Sequence, residues 1–401
     1  MLCAAGELCG WRGWRPAGAL PCQKAMAQRS QSSPIGSGPA KSRFASVYRV
    51  LEEAIATRAF PGCVFGVLAG GEVALEGAFG RFTYEAGSQE VTPETRFDVA
   101  SLTKVVGTTA AAMLLVERGQ MDLETPLAEI VPEFLAGRAP GDQARFVTLR
   151  HLLAHNSGLP GYAELFRTAT TPGGLMKACM ALPLEAEPGK RAEYSDPGFI
   201  VLGRALEVLM GERLDTWLAH EVFDRLNMAS TGFCPIPAER RSIPPTEQDT
   251  WFRHQLIQGE VQDESAWVLG GVAGHAGLFS TVGDLLGFCS AILKTAAEPQ
   301  TSATLFDREG LNRFTERQMP AGNERALGWD TPSAKNSSAG KYFSARSVGH
   351  LGFSGCSLWI DLDAAVAVVL LTNRTWPDRK SQLIRDVRPA FHDAVREALQ
   401  K

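Results

Sequence analysis

The segment from Ser101 to Gly119 constrains the fold most strongly, because its interior is almost entirely apolar or small. It reads SLTKVVGTTAAAMLLVERG and predicts a helix that ends near the glycine. A helix without a polar face must be covered by protein on all sides. By itself, S-x-x-K also fits an N-cap serine followed by a surface lysine. In a buried helix, however, Ser101 and Lys104 share one face, so we expect this first turn to border a cleft.

Strands are predicted near both ends of the chain. Residues 61–80 read PGCVFGVLAGGEVALEGAFG, two β-rich runs around Gly70 and Gly71, which is a hairpin signal. Residues 357–374, SLWIDLDAAVAVVLLTNR, predict two further strands. Periodic apolar residues predict a helix before the first hairpin and another over 381–399. We therefore expect an α+β fold in which one antiparallel sheet is flanked by terminal helices.

The middle of the chain is mostly helical in pattern, which predicts a discontinuous layout. We expect one domain over residues 44–401, with an α/β lobe from about 44–105 and 340–401. A mostly helical lobe is expected over about 106–339. Ser101 lies where the chain passes from the first lobe to the second, and clefts commonly form between lobes.

The first 43 residues differ in composition from the rest, being rich in Gly, Ser, Pro, Ala and Arg with a single acid, Glu7. This composition predicts a disordered lead, and Met26 is an alternative start. The lead lacks the basic region and continuous apolar core of an export signal, so we expect a cytoplasmic protein. An export signal hidden in the lead would instead predict a periplasmic or secreted one. Three of the eight cysteines lie in the lead, and the other five are isolated without a CxxC pair, which favours buried free thiols in a reducing compartment.

Charge and hydropathy limit the partners. The chain has 401 residues and a net charge of −4, without a basic stripe that would indicate nucleic acid. The longest apolar runs, such as VVGTTAAAMLLV, are short and mixed for a bilayer span. No cysteine spacing predicts a zinc site. We expect a small-molecule ester or amide substrate and neither cofactor nor metal; the oligomeric state has no sequence signal.

Two further motifs follow S-x-x-K in the chain. Tyr194 and Asp196 lie in YSD, between a turn and a helix start, and His350 and Gly352 lie in HLG, which leads into a predicted strand. This ordered set resembles the β-lactamase-related serine hydrolases, which include class C β-lactamases, penicillin-binding D-Ala-D-Ala carboxypeptidases and short-chain esterases. The stretches TLRHLLAHNSGLPGY, GGVAGHAGLFST and HLGFSGCSLWID are also similar to that family. The resemblance covers about residues 44–400 and implies a β-lactamase/transpeptidase-like fold.

The resemblance also implies a role for each matching residue. Ser101 would attack a carbonyl and form an acyl-enzyme, with Lys104 within hydrogen-bond reach. Tyr194, its phenol pKa lowered by cationic neighbours, would serve as general base and then acid. The backbone N–H groups of Ser101 and Phe353 would form the oxyanion hole. Gly352 would let the backbone approach the acyl group closely.

Two positions depart from the family pattern. Asp196 replaces the common asparagine of Y-x-N, and an ionised aspartate can only accept hydrogen bonds. We expect Asp196 to pair with Lys104 and to hold it charged. His350 stands where many relatives have lysine, and a mostly neutral histidine anchors a carboxylate less firmly. The departures favour an esterase acting on small esters; the alternatives are a D-alanyl-D-alanine carboxypeptidase or β-lactamase, and a non-catalytic penicillin-binding-type sensor.

Other motifs carry weaker functional interpretations. His151 and His155 have the spacing of a metal pair but lack the Glu and third ligand of HExxH, which favours a structural role. The glycine-rich stretch around His275 lacks the GK[ST] ending of a phosphate loop. GFSGC nearly matches the nucleophile elbow G-x-S-x-G around Ser354, but Cys356 replaces the last glycine.

Overall fold

The computed structural model describes residues 43–297, 304–320 and 323–400. The predicted disordered lead, residues 1–43, lies outside these ranges except for Arg43.

Strands occupy ten segments of the described residues, in chain order β1 (Gly62–Ala69), β2 (Glu72–Gly80), β3 (Phe97–Asp98), β4 (Gly232–Phe233), β5 (Glu247–Gln248), β6 (Leu256–Ile257), β7 (Leu278–Ser280), β8 (Ser347–Leu351), β9 (Ser357–Asp361) and β10 (Val366–Thr372). The α-helices of the same residues are α1 (Ala45–Ala56), α2 (Ala110–Glu117), α3 (Leu127–Ile130), α4 (Leu149–Leu153), α5 (Pro172–Met180), α6 (Asp196–Met210), α7 (Leu214–Leu218), α8 (Glu264–Val268), α9 (Val282–Ala297), α10 (Arg308–Thr315) and α11 (Ile384–Gln400). Short 3₁₀ segments cover Ala100–Leu102, Pro132–Leu135, Gln143–Phe146, Leu165–Arg167 and Arg240–Ser242, and π-helical turns cover Lys104–Thr109 and Ala219–Phe223.

The main sheet has five strands in the order β2-β1-β10-β9-β8, and every neighbouring pair is antiparallel. Its centre joins the two ends of the chain, since β1 pairs with β10 from Cys63 opposite Thr372 to Ala69 opposite Val366. The predicted antiparallel sheet is confirmed. The predicted hairpin is also present: Gly70 and Gly71 connect β1 to β2 with φ of +62° and +86°, the left-handed pair that a tight two-residue hairpin turn requires.

The terminal helices α1 and α11 cover one face of this sheet. The Phe65 ring of β1 lies with its centroid 6.2 Å from Tyr48 of α1 and 6.0 Å from Phe391 of α11. The opposite face packs on α9, a helix from the middle of the sequence. Gly66 permits this approach, because a Cβ there would lie 2.6 Å from a Leu286 methyl group. The sheet is therefore buried between two helical layers.

The segment that begins at Ser101 is buried as predicted, but it is not a regular α-helix from its first residue. A 3₁₀ turn over Ala100–Leu102 leads into the π-helical turn Lys104–Thr109, and only then into α2. Gly119 ends it with φ of +66°. By length and composition Ala100–Glu117 could cross a membrane, contrary to our expectation from the apolar runs, yet most of it is covered by the protein, the environment of a core helix.

The described residues belong to one compact unit. A small sheet in the order β3-β7-β4 links strands from both sides of the boundary expected near residue 105. The division into an α/β lobe and a helical lobe therefore stays a prediction.

Candidate active site

Ser101 follows a bend that is fixed by a buried carboxylate. Ala100 has φ of +48°, an uncommon conformation for a residue with a side chain. Asp98 holds this bend, because its Oδ1 accepts from the Ala100 N–H at 2.8 Å and its Oδ2 from the Gln262 N–H at 2.7 Å. Burial raises the pKa of Asp98 to about 6, although both backbone donors act against the shift. The start of the serine segment is thus tied to a distant loop.

Lys104 is completely buried, and its ammonium group has three hydrogen-bond acceptors. Its Nζ donates to Ser101 Oγ at 3.0 Å, to Asp196 Oδ1 at 2.7 Å and to the His275 carbonyl at 3.1 Å. Burial opposes the charge, but Asp196 and Tyr194 together outweigh it and raise the pKa of Lys104. The predicted pairing of Asp196 with Lys104 is therefore present, and the lysine is held as an ammonium ion.

Tyr194 lies against the same ammonium group. Its ring centroid is 4.7 Å from Lys104 Nζ, and its hydroxyl is close enough to Lys104 and Ser101 for both to favour the phenolate. The predicted lowering of its pKa is wrong: burial raises the pKa of Tyr194 to about 12, and the positive charge of Lys104 only limits the rise. The resting tyrosine is a neutral phenol because the phenolate is poorly solvated there.

Asp196 gains its position from the start of α6. Ser195 caps this helix, accepting from the Gly198 N–H at 3.0 Å and donating to the Pro160 carbonyl at 2.7 Å. Tyr194 and Asp196 flank the cap and are brought to Lys104 together. The pattern YSD at a helix start thus corresponds to two side chains that converge on one ammonium group.

The motif with His350 lies across the cleft. His350 belongs to the end of β8, and the predicted strand, β9, follows the motif after a turn. The imidazole is buried, and its Nδ1 lies 2.8 Å from the Leu351 carbonyl oxygen. Burial lowers the pKa of His350 to about 4, which keeps it neutral near pH 7, as expected. Its buried Nε2 has no hydrogen-bond partner among the described residues.

Gly352 and Phe353 begin the turn that follows β8. The Gly352 N–H donates to the Cys356 carbonyl at 2.7 Å and closes the turn. A Cβ at Gly352 would lie 2.6 Å from the Val99 carbonyl oxygen, so glycine brings the turn against the segment that contains Ser101. Within the described ranges no hydrogen bond uses the backbone N–H of Phe353. This N–H is available to a ligand.

These residues border one cleft of about 650 Å³. The residues predicted from the motifs that line it are Ser101, Tyr194, Asp196, His350, Gly352 and Phe353. Lys104 lies beneath them, in contact with Ser101. The structure therefore brings every predicted site residue to one place.

Several cleft residues were missed by the motif analysis. Arg325 lies with its guanidinium carbon 5.0 Å from the Tyr194 ring centroid and pairs with Asp330. Asp263 accepts from His275 at 2.8 Å. Arg388 is buried on α11 and also lines the cleft.

Of these three residues, only Arg388 could have been recognised from the sequence. It follows Ile384 by four residues and precedes Phe391 by three, in the apolar register of the predicted terminal helix. An arginine in that register is unusual enough to indicate a special role. Arg325 and Asp263 lie in irregular segments, where the sequence has no periodic reference.

The weaker candidates have structural roles. Ser354 Oγ is buried and donates to the Asp98 carbonyl at 2.7 Å. His155 Nδ1 accepts from the Ser195 N–H at 2.9 Å, and His151 Nδ1 from the Thr148 N–H at 3.1 Å. Over the described ranges no cluster of three or more His, Cys, Asp or Glu side chains has the arrangement of a metal site.

The chain is similar to known proteins over most of its length. The sequence model of a family described as Beta-lactamase matches residues 47–389. An N-acetylmuramyl-L-alanine amidase of Bacillus subtilis is 29% identical over 362 residues, which cover 82% of this chain and 80% of that protein. A protein of Salmonella agona, provisionally named D-alanyl-D-alanine carboxypeptidase, is 28% identical over 71% of this chain and 70% of its own length.

Solved structures agree on the fold. EstCE1, described as a hydrolase with promiscuous acyltransferase activity, superposes with a TM-score of 0.68 at 23% identity, over 88% of this chain and all of that one. The predicted α+β, β-lactamase/transpeptidase-like fold is confirmed.

Proposed function

This chain belongs to the β-lactamase family of serine hydrolases, and we propose that within it the protein is an esterase acting on small esters. The observation that carries the proposal is the position of Lys104, with its ammonium 3.0 Å from Ser101 Oγ and 2.7 Å from Asp196 Oδ1. A buried ammonium beside a hydroxyl stabilises the alkoxide that attacks a carbonyl. Burial and charge thus support Ser101 as the nucleophile.

Proton transfer follows from the charge states of the two neighbours. In the resting site Lys104 is an ammonium ion and Tyr194 a neutral phenol, so neither accepts a proton. Loss of one proton from this pair creates the base. In the phenolate form, Tyr194 takes the Ser101 proton while the Oγ–carbon bond forms. It then gives that proton to the leaving alkoxide as the ester C–O bond breaks. In deacylation, water takes the place of Ser101 as the nucleophile: Tyr194 accepts its proton, water attacks the acyl carbon, and the proton passes to Ser101 Oγ as the acid is released.

The carbonyl oxygen gains a full negative charge when Ser101 adds to the carbon. We assign the Phe353 N–H to this oxygen, together with the N–H of Ser101. The free N–H of Phe353 at the cleft supports the assignment.

The preference for esters is inferred from Asp196. Its carboxylate accepts from Lys104 and has no proton to offer to a substrate amide. His350 is neutral and gives no fixed charge for a substrate carboxylate. A small ester needs neither of these contacts.

The first test is hydrolysis of p-nitrophenyl butyrate by the full chain. We expect turnover by the wild type and loss of turnover to background in Ser101→Ala. Ser242→Ala, at an exposed serine, is the matched control and should retain activity. Mass spectrometry of the quenched reaction should find the butyryl group on Ser101. Absence of wild-type turnover with this ester would refute the esterase proposal.

A second candidate is a D-alanyl-D-alanine carboxypeptidase, favoured by Arg385. This exposed arginine lines the cleft and forms no ion pair with any described residue, so its charge is available to a peptide carboxylate. Release of D-alanine from a D-Ala-D-Ala peptide, absent in Ser101→Ala, would support this candidate. Slow penicillin labelling of Ser101 without turnover of either substrate would instead support a non-catalytic sensor.

The cytoplasmic location is also proposed, from the composition of the first 43 residues. Fractionation of cells that contain the native protein tests it, and recovery with the periplasm or the medium would refute it.

A further inference from the structure

The turn that carries the Phe353 N–H is held from behind by a buried arginine. Arg388 of α11 donates through Nη2 to the Gly352 carbonyl at 2.6 Å and to the Cys356 carbonyl at 2.7 Å. Its Nε donates to the Gly355 carbonyl at 3.2 Å. One guanidinium group therefore binds three carbonyl oxygens of a single turn.

The Gly352 carbonyl and the Phe353 N–H belong to the same planar peptide group. The shared group is bonded to Arg388 at its oxygen and is free at its N–H. A hydrogen bond to a carbonyl polarises the amide and strengthens its N–H as a donor. A charged donor at 2.6 Å has a larger effect than a neutral one.

Arg388 has no ion pair with any residue in the described ranges, although it is buried. Burial lowers the pKa of Arg388 to about 10, so the group still carries its charge near pH 7. A buried charge without a counter-ion is costly. Arg396 on the same helix avoids this cost by pairing with Asp361 at 3.2 Å. The uncompensated charge of Arg388 lies beside the cleft, where an anion would benefit from it.

We infer that Arg388 is a positioning residue for acyl transfer: it orients and polarises the Gly352–Phe353 peptide group so that the Phe353 N–H binds the developing oxyanion. The inference rests on the proposed function, because it requires an oxyanion on the substrate. It predicts that replacing Arg388 destabilises the tetrahedral state more than it weakens substrate binding.

The experiment compares Arg388→Met with the wild type in ester hydrolysis and in inhibition by an alkyl trifluoromethyl ketone. This inhibitor adds to the serine and forms a tetrahedral oxyanion. We expect kcat to fall about tenfold, since an indirect effect should be smaller than loss of an oxyanion-hole donor. The inhibition constant should rise by about the same factor, while KM changes less than about twofold.

Arg396→Met is the matched control, because it removes a mostly buried guanidinium from the same helix. It should lower the melting temperature and leave kcat and the inhibition constant at wild-type values. Arg388→Gln provides a second variant should Arg388→Met fail to fold, and it should raise the inhibition constant by a smaller factor.

The outcomes distinguish this inference from the proposed function. If wild-type Ser101 is not acylated by the ester, the proposed function fails and the inference falls with it. If the wild type is active but the folded Arg388 variant keeps the wild-type inhibition constant, only the inference is refuted. Equal losses of kcat in the Arg388 and Arg396 variants would also refute it.

Discussion

Lys104 and Arg388 are buried cations next to the candidate active site, and their charges are stabilised in different ways. Lys104 has a carboxylate partner, Asp196, at 2.7 Å, and its pKa is raised. Arg388 has only backbone carbonyls as acceptors, and burial lowers its pKa to about 10. Both remain charged near pH 7.

The presence of a counter-ion at Lys104 and its absence at Arg388 suit the two charges to different roles. A counter-ion at Lys104 fixes the protonation state of a group that must take part in proton transfer. Without a counter-ion, the field of Arg388 is not cancelled and acts on the turn beside it. The comparison predicts a large loss of kcat when Lys104 is replaced. It predicts smaller losses when the arginines that bind the turn after β8 are replaced.

The largest effect is expected for Lys104→Met. The variant removes the ammonium from Ser101 and leaves the Asp196 carboxylate without its partner. We expect kcat for the ester to fall about a thousandfold, in the range of other acid–base and nucleophile-activating groups. Circular dichroism should confirm that the variant is folded. A loss no larger than that of Arg388→Met would contradict the assigned difference between the two cations.

A smaller but more specific effect is expected for Asp196→Asn. The Asp196 carboxylate raises the pKa of both Lys104 and Tyr194, because removal of a proton from either is harder beside a negative charge. Asparagine lowers both pKa values, so the deprotonated, active form is reached at lower pH. The profile of kcat/KM against pH should shift to lower pH.

Asp224→Asn, at an exposed aspartate, is the control for this profile and should leave it in place. A profile that does not move in Asp196→Asn, or that moves to higher pH, would mean that the Lys104–Tyr194 pair does not supply the base.

The smallest effect is expected for Arg374→Met. Arg374 Nε donates to the Phe353 carbonyl at 2.8 Å, and this oxygen belongs to the next peptide group, not to the one that offers the Phe353 N–H. Its other hydrogen bonds bind the carbonyls of Arg379 and Ser381. We expect a lower melting temperature but a kcat within about threefold of wild type, since a charged hydrogen bond contributes mainly to stability here. A loss of kcat as large as that of Arg388→Met would show that the turn needs support in general, without a special role for one peptide group.

The sequence predicted the parts of the site that depend on local signals. Gly70 and Gly71 marked a hairpin because only a left-handed turn joins two strands so closely. Ser101 and Lys104 were expected to meet because three residues separate them in a helical turn, and their contact survives the change from α to 3₁₀ and π geometry.

Properties that depend on burial could not be predicted in the same way. The pKa of Tyr194 was expected to fall because a cation was expected nearby; the cation is present, but loss of hydration has the larger effect and raises the pKa. Cys234 is exposed although it was expected to be buried, whereas Cys63, Cys179, Cys289 and Cys356 are buried free thiols. Solvent exposure depends on the whole fold, so the residues of a short motif do not predict it.

The first described residue is in contact with the end of the last helix. Arg43 donates to the carbonyls of Ala398 and Leu399 at 2.8 and 3.0 Å. One side chain therefore spans the gap between residue 43 and residue 399. A short linker across this contact would allow the chain to be opened elsewhere as a circular permutant, for example in the hairpin turn at Gly70 and Gly71, where an added side chain would meet no neighbouring atom within 4 Å.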